Sequence, residues 1–100
     1  MAVNERLRTK QIDDLFEAIL KLENKEEAYK FFEDLCTVAE IKSMAQRWAV
    51  ARKLDAKETY TDIATETGAS TATISRVKRY LEYGADGYRL ILDRLKSSKS

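Results

Sequence analysis

Apolar residues recur along this chain at the three- and four-residue spacing of an amphipathic α-helix. The first stripe of this kind consists of Ile12, Leu15, Phe16, Ile19 and Leu20. It predicts a helix over about residues 5–22 with one apolar face. A second helix is predicted to begin after Asn24, because Asn24 followed by Glu27 three residues later is typical of a helix N-terminus.

The third predicted helix has the broadest apolar surface. The sequence Thr37-Val38-Ala39-Glu40 is a capping box, and the helical pattern that it starts continues to about Leu54. The apolar residues of this helix lie on more than one side: Ile41, Met44, Ala45, Trp48, Ala49, Val50 and Ala51. A helix that faces water on one side does not need that breadth, so we expect a central helix that is buried between two subunits.

Three shorter helices are predicted in the second half of the chain. Thr59 caps a fourth helix that ends at Gly68, and Ser70 caps a fifth helix that runs from about Thr71 to Tyr83. The stripe of a sixth helix consists of Tyr88, Ile91, Leu92 and Leu95, and we expect residues 96–100 to be frayed. Since the chain has no proline and no strand-like run, we predict an all-α fold of six helices in a single domain over residues 1–100.

A helix-turn-helix is predicted within about residues 59–83, where the chain reads YTDIATETGASTATISRVKR. Ile63, Ile74 and Val77 are spaced to hold the two helices onto a core. Gly68 suits the tight turn between them, because glycine adopts a positive φ without steric cost. The second helix of the pair is therefore the candidate recognition helix.

The outward positions of this segment have the chemistry of a DNA-reading surface. Small side chains let a helix enter the major groove, and hydroxyl groups bond to base edges or phosphates. We predict that the residues at or near base edges are Thr71, Ala72, Thr73 and Ser75. We predict that the residues nearer the phosphates are Thr59, Thr61, Arg76, Lys78 and Arg79, and that Ser70 belongs to the same DNA-binding surface.

Charge is distributed unevenly along the chain, although the formal net charge is only +1. Residues 1–70 hold 11 basic and 14 acidic side chains, a net charge of −3, whereas residues 71–100 hold 7 basic and 3 acidic side chains, a net charge of +4. The positive part begins at the predicted recognition helix. Cations there neutralise phosphates and make DNA binding depend on salt.

Several kinds of chemistry are excluded by what the chain lacks. There is no histidine and one cysteine, Cys36, so we expect no His-based catalysis and no Cys/His metal site. The acid pairs Asp13/Asp14 and Glu26/Glu27 are adjacent residues that point to different helix sides, so we do not expect an enzyme. No apolar run approaches the roughly 18 residues of a membrane span, and the N-terminus is charged; we expect a cytoplasmic protein with no membrane partner.

On these residues the chain resembles the tryptophan repressor family, over about Phe31–Tyr80. The likeness is carried by Gly68-Ala69 followed by Ala72-Thr73-Ile74-Ser75-Arg76, and by the Thr37-capped helix that contains Arg47. The resemblance implies a six-helix chain in an intertwined homodimer whose two helix-turn-helix units read a palindromic operator. It therefore implies a bacterial, sequence-specific transcriptional regulator whose partners are double-stranded DNA and a second copy of itself. We expect a repressor, since occluding a promoter is the easiest action for such a dimer.

The resemblance also implies a pocket for a small effector. In tryptophan-binding members two arginines and a threonine lie around the ligand, and Arg47, Arg76 and Thr37 match those positions. Val77 stands where that pocket needs glycine, and Tyr80 stands where it needs a small serine. We therefore predict that side chains fill the slot and that DNA binding does not depend on tryptophan.

Two alternatives stay open at this point. One is a corepressor, either tryptophan accommodated beside the valine or a different small molecule. The other is a helical protein-interaction module, in which the helix-turn-helix surface binds another protein instead of DNA. An affinity for duplex DNA that falls steeply with salt would distinguish the regulator from the interaction module.

Overall fold

The computed structural model describes residues 3–98, which form six α-helices, one 3₁₀ turn and no β-strand within that range. The 3₁₀ turn is Glu5–Leu7, and the helices are α1 (Lys10–Ile19), α2 (Lys25–Leu35), α3 (Val38–Asp55), α4 (Tyr60–Thr67), α5 (Thr71–Tyr83) and α6 (Gly87–Ser98). The predicted all-α fold of six helices is confirmed.

The first predicted helix, over residues 5–22, was wrong in its extent. The Thr9 hydroxyl accepts a hydrogen bond from the Ile12 N–H at 3.2 Å, so Thr9 caps α1 and separates it from the 3₁₀ turn before it. At the other end, the backbone N–H of Leu22 donates to the carbonyl of Ile19, which tightens the chain into a turn. The apolar stripe is present, but it lies on a helix of ten residues.

The N-termini of α2 and α3 are capped by the residues that the sequence indicated. The side chain of Asn24 accepts from the Glu27 N–H at 2.9 Å, and the Glu27 carboxylate accepts from the Glu23 N–H at 2.9 Å. In the capping box, the Thr37 hydroxyl accepts from the Glu40 N–H at 3.1 Å, while the Glu40 carboxylate accepts from the Thr37 N–H at 2.8 Å. This last hydrogen bond is the main reason why the pKa of Glu40 is lowered.

The chain divides into two compact units between Ile41 and Lys42. Within residues 3–41 no described residue is fully buried, and the apolar side chains are at most half-buried. Phe31 and Phe32 lie edge to face, with ring centroids 5.7 Å apart. The prediction of a single domain over residues 1–100 stays a prediction.

Residues 42–98 contain a buried core. Its members are contributed by α3, by α4, by the turn after α4 and by α5: Val50, Ala51, Ile63, Ala69, Ile74 and Val77. Trp48 packs against the edge of this core, and its ring stacks on that of Tyr88 at a centroid distance of 6.2 Å. Packing in this core holds α4 and α5 against α3 and so fixes the position of the helix-turn-helix relative to α3.

The helix α6 is joined to α3 by an ion-pair cluster around one carboxylate. Asp55 accepts from Arg89 Nη1 at 2.9 Å and lies 2.8 Å from Lys96 Nζ. The expected fraying of residues 96–100 is therefore wrong for residues 96–98, because Lys96 is paired and the Ser98 hydroxyl donates to the Arg94 carbonyl at 3.0 Å. Residues 99–100 lie outside the described part of the chain.

Candidate nucleic-acid interface

The helix-turn-helix is built by two capped helices joined at Gly68. The Thr59 hydroxyl accepts from the Asp62 N–H at 3.2 Å and starts α4, and the Ser70 hydroxyl accepts from the Thr73 N–H at 3.1 Å and starts α5. Gly68 has a φ of 73°, in the left-handed region that favours glycine. The predicted segment over residues 59–83 thus adopts the helix-turn-helix geometry.

A hydrogen-bond cluster at this turn was not foreseen from the sequence. The Thr67 hydroxyl donates to the Ile63 carbonyl at 2.7 Å and accepts from the Ala69 N–H at 3.1 Å. The Gln46 amide in α3 donates to the Thr67 carbonyl at 3.2 Å. The Thr67 side chain therefore supports the turn by accepting from the backbone N–H of Ala69, just after Gly68.

The two faces of α5 differ sharply in exposure. Ile74 and Val77 are 0% and 1% exposed and face the core. The predicted DNA-binding residues lie outside that core, and all except Thr73 are exposed: Thr59, Thr61, Ser70, Thr71, Ala72, Ser75, Arg76, Lys78 and Arg79. The structure therefore leaves nine of the ten predicted contacts open to a ligand.

Thr73 is half-buried and takes part in the cap of α5. The Ser70 hydroxyl donates to the Thr73 hydroxyl oxygen at 3.1 Å, in addition to accepting from the Thr73 N–H. The Thr73 hydroxyl keeps its own proton for another acceptor. Because a change at Thr73 also disturbs the cap, Ser75 is the cleaner probe of base contacts.

Two cations of α5 contact aromatic rings, whereas Lys53, Arg89 and Lys96 contact carboxylates. Neither Arg76, Lys78 nor Arg79 forms an ion pair within residues 3–98. The Arg76 guanidinium lies 5.5 Å from the centroid of the Tyr80 ring, and the Lys78 ammonium lies 5.8 Å from that of Tyr60. These positive charges are thus not neutralised by a carboxylate of the described chain.

Lys53, in contrast, is paired twice. Its ammonium lies 3.7 Å from the Glu58 carboxylate and also binds Glu66. The hydrogen bond to Glu66 is the main reason why the pKa of Lys53 is raised, and the same bond lowers the pKa of Glu66. Lys53 is thus held by carboxylates, whereas none of the three cations of the recognition helix has a carboxylate partner within residues 3–98.

The residues that matched an effector pocket have other contacts here. Thr37 belongs to the unit of residues 3–41 and caps α3, while Arg47 Nη1 donates to the Ser43 hydroxyl at 3.1 Å. Val77 is part of the buried core, and Tyr80 is half-exposed beneath Arg76. The pocket itself, with or without a filling side chain, stays a prediction.

Neither a metal site nor a membrane segment stands out in the described residues. Over residues 3–98, no group of three or more potential ligands could hold a metal ion. None of the helices in that range has both the length and the apolar content needed to cross a bilayer.

Comparison with known proteins gives a consistent assignment. The family model described as Trp repressor protein matches residues 10–96. The uncharacterised Bacillus subtilis protein YerC is 57% identical over 96 residues, which cover 96% of this chain and 92% of YerC.

Two solved structures have the same fold. A TrpR-like protein from Eubacterium eligens superposes with a TM-score of 0.90 at 55% identity, over 93% of this chain and 96% of that one. A Staphylococcus aureus protein described as a candidate Trp repressor superposes with a TM-score of 0.88 at 58% identity, over 92% of each chain. The predicted resemblance and the predicted fold are both confirmed. The chain is a member of the Trp repressor family, a family of DNA-binding regulators rather than of enzymes.

Proposed function

We propose that this protein is a cytoplasmic transcriptional repressor that binds a palindromic operator as a homodimer and inserts α5 into the major groove. The observation that carries the proposal is the two-sided character of α5. One side is buried through Ile74 and Val77, and the other side is exposed and offers three cations without carboxylate partners in residues 3–98.

The order of side chains along α5 supports a division of roles. Thr71, Ala72 and Ser75 come first, and their small size allows the N-terminal end of the helix to approach base edges. Arg76, Lys78 and Arg79 follow; they have the reach and charge for phosphates. Thr59 and Thr61, at the first turn of α4, are exposed and suit phosphate contacts beside them.

Independence from tryptophan is supported by the surroundings of the recognition helix. Val77 is packed in the core, so its side chain is a fixed part of the helix-turn-helix. The Arg76 guanidinium already has an aromatic neighbour in Tyr80. We propose that these side chains fulfil the ordering role that a bound effector would otherwise have.

A homodimer is supported by the apolar surface that the chain leaves open. No described residue of 3–41 is fully buried, although α1 and α2 carry apolar stripes. In a two-fold symmetric dimer each chain presents the same surface to the other, so the apolar stripes of two copies can cover each other. Two-fold symmetry would place successive recognition helices about 34 Å apart along DNA, one helical turn, and occupancy of such a site would block a promoter.

The test is selection of binding sites from a random duplex pool, with and without tryptophan. We expect a palindromic motif to be enriched equally in both conditions. Affinity should fall steeply with salt, by about 10³-fold between roughly 50 and 200 mM if six or more phosphates are contacted. A protein that shows no duplex affinity at low salt would contradict the proposal and favour the protein-interaction module. A motif that appears only with tryptophan would contradict effector independence alone.

Two substitutions on α5 separate base reading from phosphate contact. Ser75→Ala should lower discrimination at one base pair by about 1–3 kcal/mol, because it removes an exposed hydroxyl near the bases. Lys78→Ala should weaken binding to all duplexes alike and reduce the salt slope by about one unit. Both effects are measured by titrating the selected site and a scrambled site at several salt concentrations.

Lys30→Ala serves as the matched control, since Lys30 is an exposed helical lysine on α2. It should leave affinity and salt slope unchanged. Equal losses on selected and scrambled DNA for Ser75→Ala would contradict its base-reading role.

A further inference from the structure

Each of two cations on the recognition helix lies over the face of a tyrosine ring. The distances are 5.5 Å from the Arg76 guanidinium to the Tyr80 centroid and 5.8 Å from the Lys78 ammonium to the Tyr60 centroid. Both fall within the roughly 6 Å range of cation–π attraction. Neither contact is needed for the core, because both cations are exposed.

The two rings are held in different ways. Tyr80 follows Arg76 by four residues on α5, the spacing at which helical side chains meet, and its ring is 50% exposed. Tyr60 is the first residue of α4, and it packs against the buried core. The contact between Lys78 and Tyr60 therefore joins α5 to a side chain of the first residue of α4.

An aromatic ring can hold a cation in position without neutralising its charge. Guanidinium donors point outward in the plane of the group, so a ring against its face leaves them free for phosphate oxygens. A carboxylate would occupy those donors and offset part of the positive charge, as Asp55 does beside Arg89 and Lys96. Holding the side chain in advance also reduces the rotamer entropy that is lost on binding.

We propose that Tyr60 and Tyr80 are positioning residues for DNA binding. Tyr80 holds Arg76, and Tyr60 holds Lys78, each with its donors directed to a phosphate. This inference rests on the proposed DNA-binding function, but the ring contacts are tested first without DNA.

The first experiment measures ring-current shifts in the free protein by NMR. The protons beside the Lys78 ammonium should be shifted upfield in the wild type and return to ordinary values in Tyr60→Leu. Protons beside the Arg76 guanidinium should respond in the same way to Tyr80→Leu. Tyr60→Phe and Tyr80→Phe keep the ring and should keep the shifts. Shifts that do not change on loss of the ring would overturn the proposal.

The second experiment is a double-mutant cycle with duplex DNA. Tyr80→Leu should weaken binding by about two- to fivefold, the size of an exposed cation–π contact, whereas Tyr80→Phe should bind as the wild type. In an Arg76→Ala background Tyr80→Leu should have no further effect, because the tyrosine acts through the arginine. The same cycle applies to Tyr60 and Lys78.

Tyr83→Leu is the control, since Tyr83 is an exposed tyrosine of α5 that is 69% exposed. It should leave DNA affinity unchanged. Additive losses in the double variants would overturn the proposal, because the tyrosines would then act independently of the cations; unchanged or tighter binding by Tyr80→Leu would overturn it as well. If the ring-current shifts are found and no variant or wild-type protein binds duplex DNA, the DNA-positioning proposal falls together with the proposed function, while the ring contacts stand.

Discussion

At the scale of single residues, glycine is required at two turns for two different reasons. Gly68 needs its freedom because its φ is 73°, a value that residues with a side chain rarely adopt. Gly84 lies just after α5 and must lack a side chain, because a Cβ at this position would collide with the Tyr80 carbonyl oxygen. Gly87, in contrast, has open space where its Cβ would lie.

This contrast gives a prediction with an internal control. Gly84→Ala should lower the free energy of unfolding by about 1–3 kcal/mol, since backbone at the end of α5 must shift to relieve the collision. Gly87→Ala should change it by less than about 1 kcal/mol or raise it, because alanine favours the helix that Gly87 begins. Urea denaturation of both variants measures the difference. Equal stability of the two variants would contradict the steric argument.

At the scale of helices, α6 is attached to α3 by the stacking of Tyr88 on Trp48 and by ion pairs to one carboxylate, Asp55. The Asp55 side chain is 12% exposed and is paired with Arg89 and Lys96, which are 41% and 62% exposed. The pKa of Asp55 is lowered, first by the hydrogen bond from Lys96 and then by that from Arg89. The cluster therefore stabilises the ionised carboxylate in the folded chain.

Asp55→Asn should destabilise the protein by about 1–2 kcal/mol, less than a fully buried pair because both cations stay exposed to solvent. Asp93→Asn is the control, since Asp93 lies 3.6 Å from Arg89 and is 61% exposed; its effect should be close to zero. Thermal and urea unfolding measure both variants. A loss for Asp93→Asn as large as that for Asp55→Asn would contradict the central role of Asp55.

The same cluster predicts a dependence on pH. A pKa that is lowered on folding contributes stability above the unfolded value and loses it as the pH falls through the folded value. The stability difference between wild type and Asp55→Asn should therefore be constant near neutral pH and shrink below the ordinary Asp value of 3.8. A difference that shrinks already above pH ~6 would show that another group is responsible.

At the scale of the whole molecule, the exposed apolar side chains of residues 3–41 predict a second copy. Phe16 on α1 is 55% exposed, and Leu20 just after that helix is 81% exposed. Such stripes are unfavourable in water and are expected to be buried in a homodimer interface. The protein should therefore sediment as a dimer at micromolar concentration.

Phe16→Glu tests this expectation. In an isolated chain the charge would lie in solvent at little cost, whereas in an interface it would be buried, so the dimer dissociation constant should rise by about tenfold or more. Glu17→Ala is the neighbouring control and should leave it unchanged. Sedimentation equilibrium measures both variants. A wild-type protein that stays monomeric, or a Phe16→Glu dimer of unchanged affinity, would contradict the prediction.

The sequence predicts those features that depend on interactions between residues no more than about four positions apart. The caps at Asn24, Thr37, Thr59 and Ser70 and the turn at Gly68 depend on hydrogen bonds or φ values of neighbouring residues, and all were predicted. The break before α1 has an equally local cause at Thr9 and was overlooked, because the apolar stripe alone extends the helix.

The features that could not be read there join residues that are distant in sequence. Gln46 bonds to Thr67 across 21 positions and Arg89 to Asp55 across 34. The contact of Lys78 with Tyr60 likewise depends on how α5 packs against α4. The order of residues thus determines the helices, their ends and the outward chemistry of α5. The contact of Arg76 with Tyr80 is local, at a spacing of four residues, but the contacts that Lys78 and Arg89 make with other helices are decided by the packing of helices on the core.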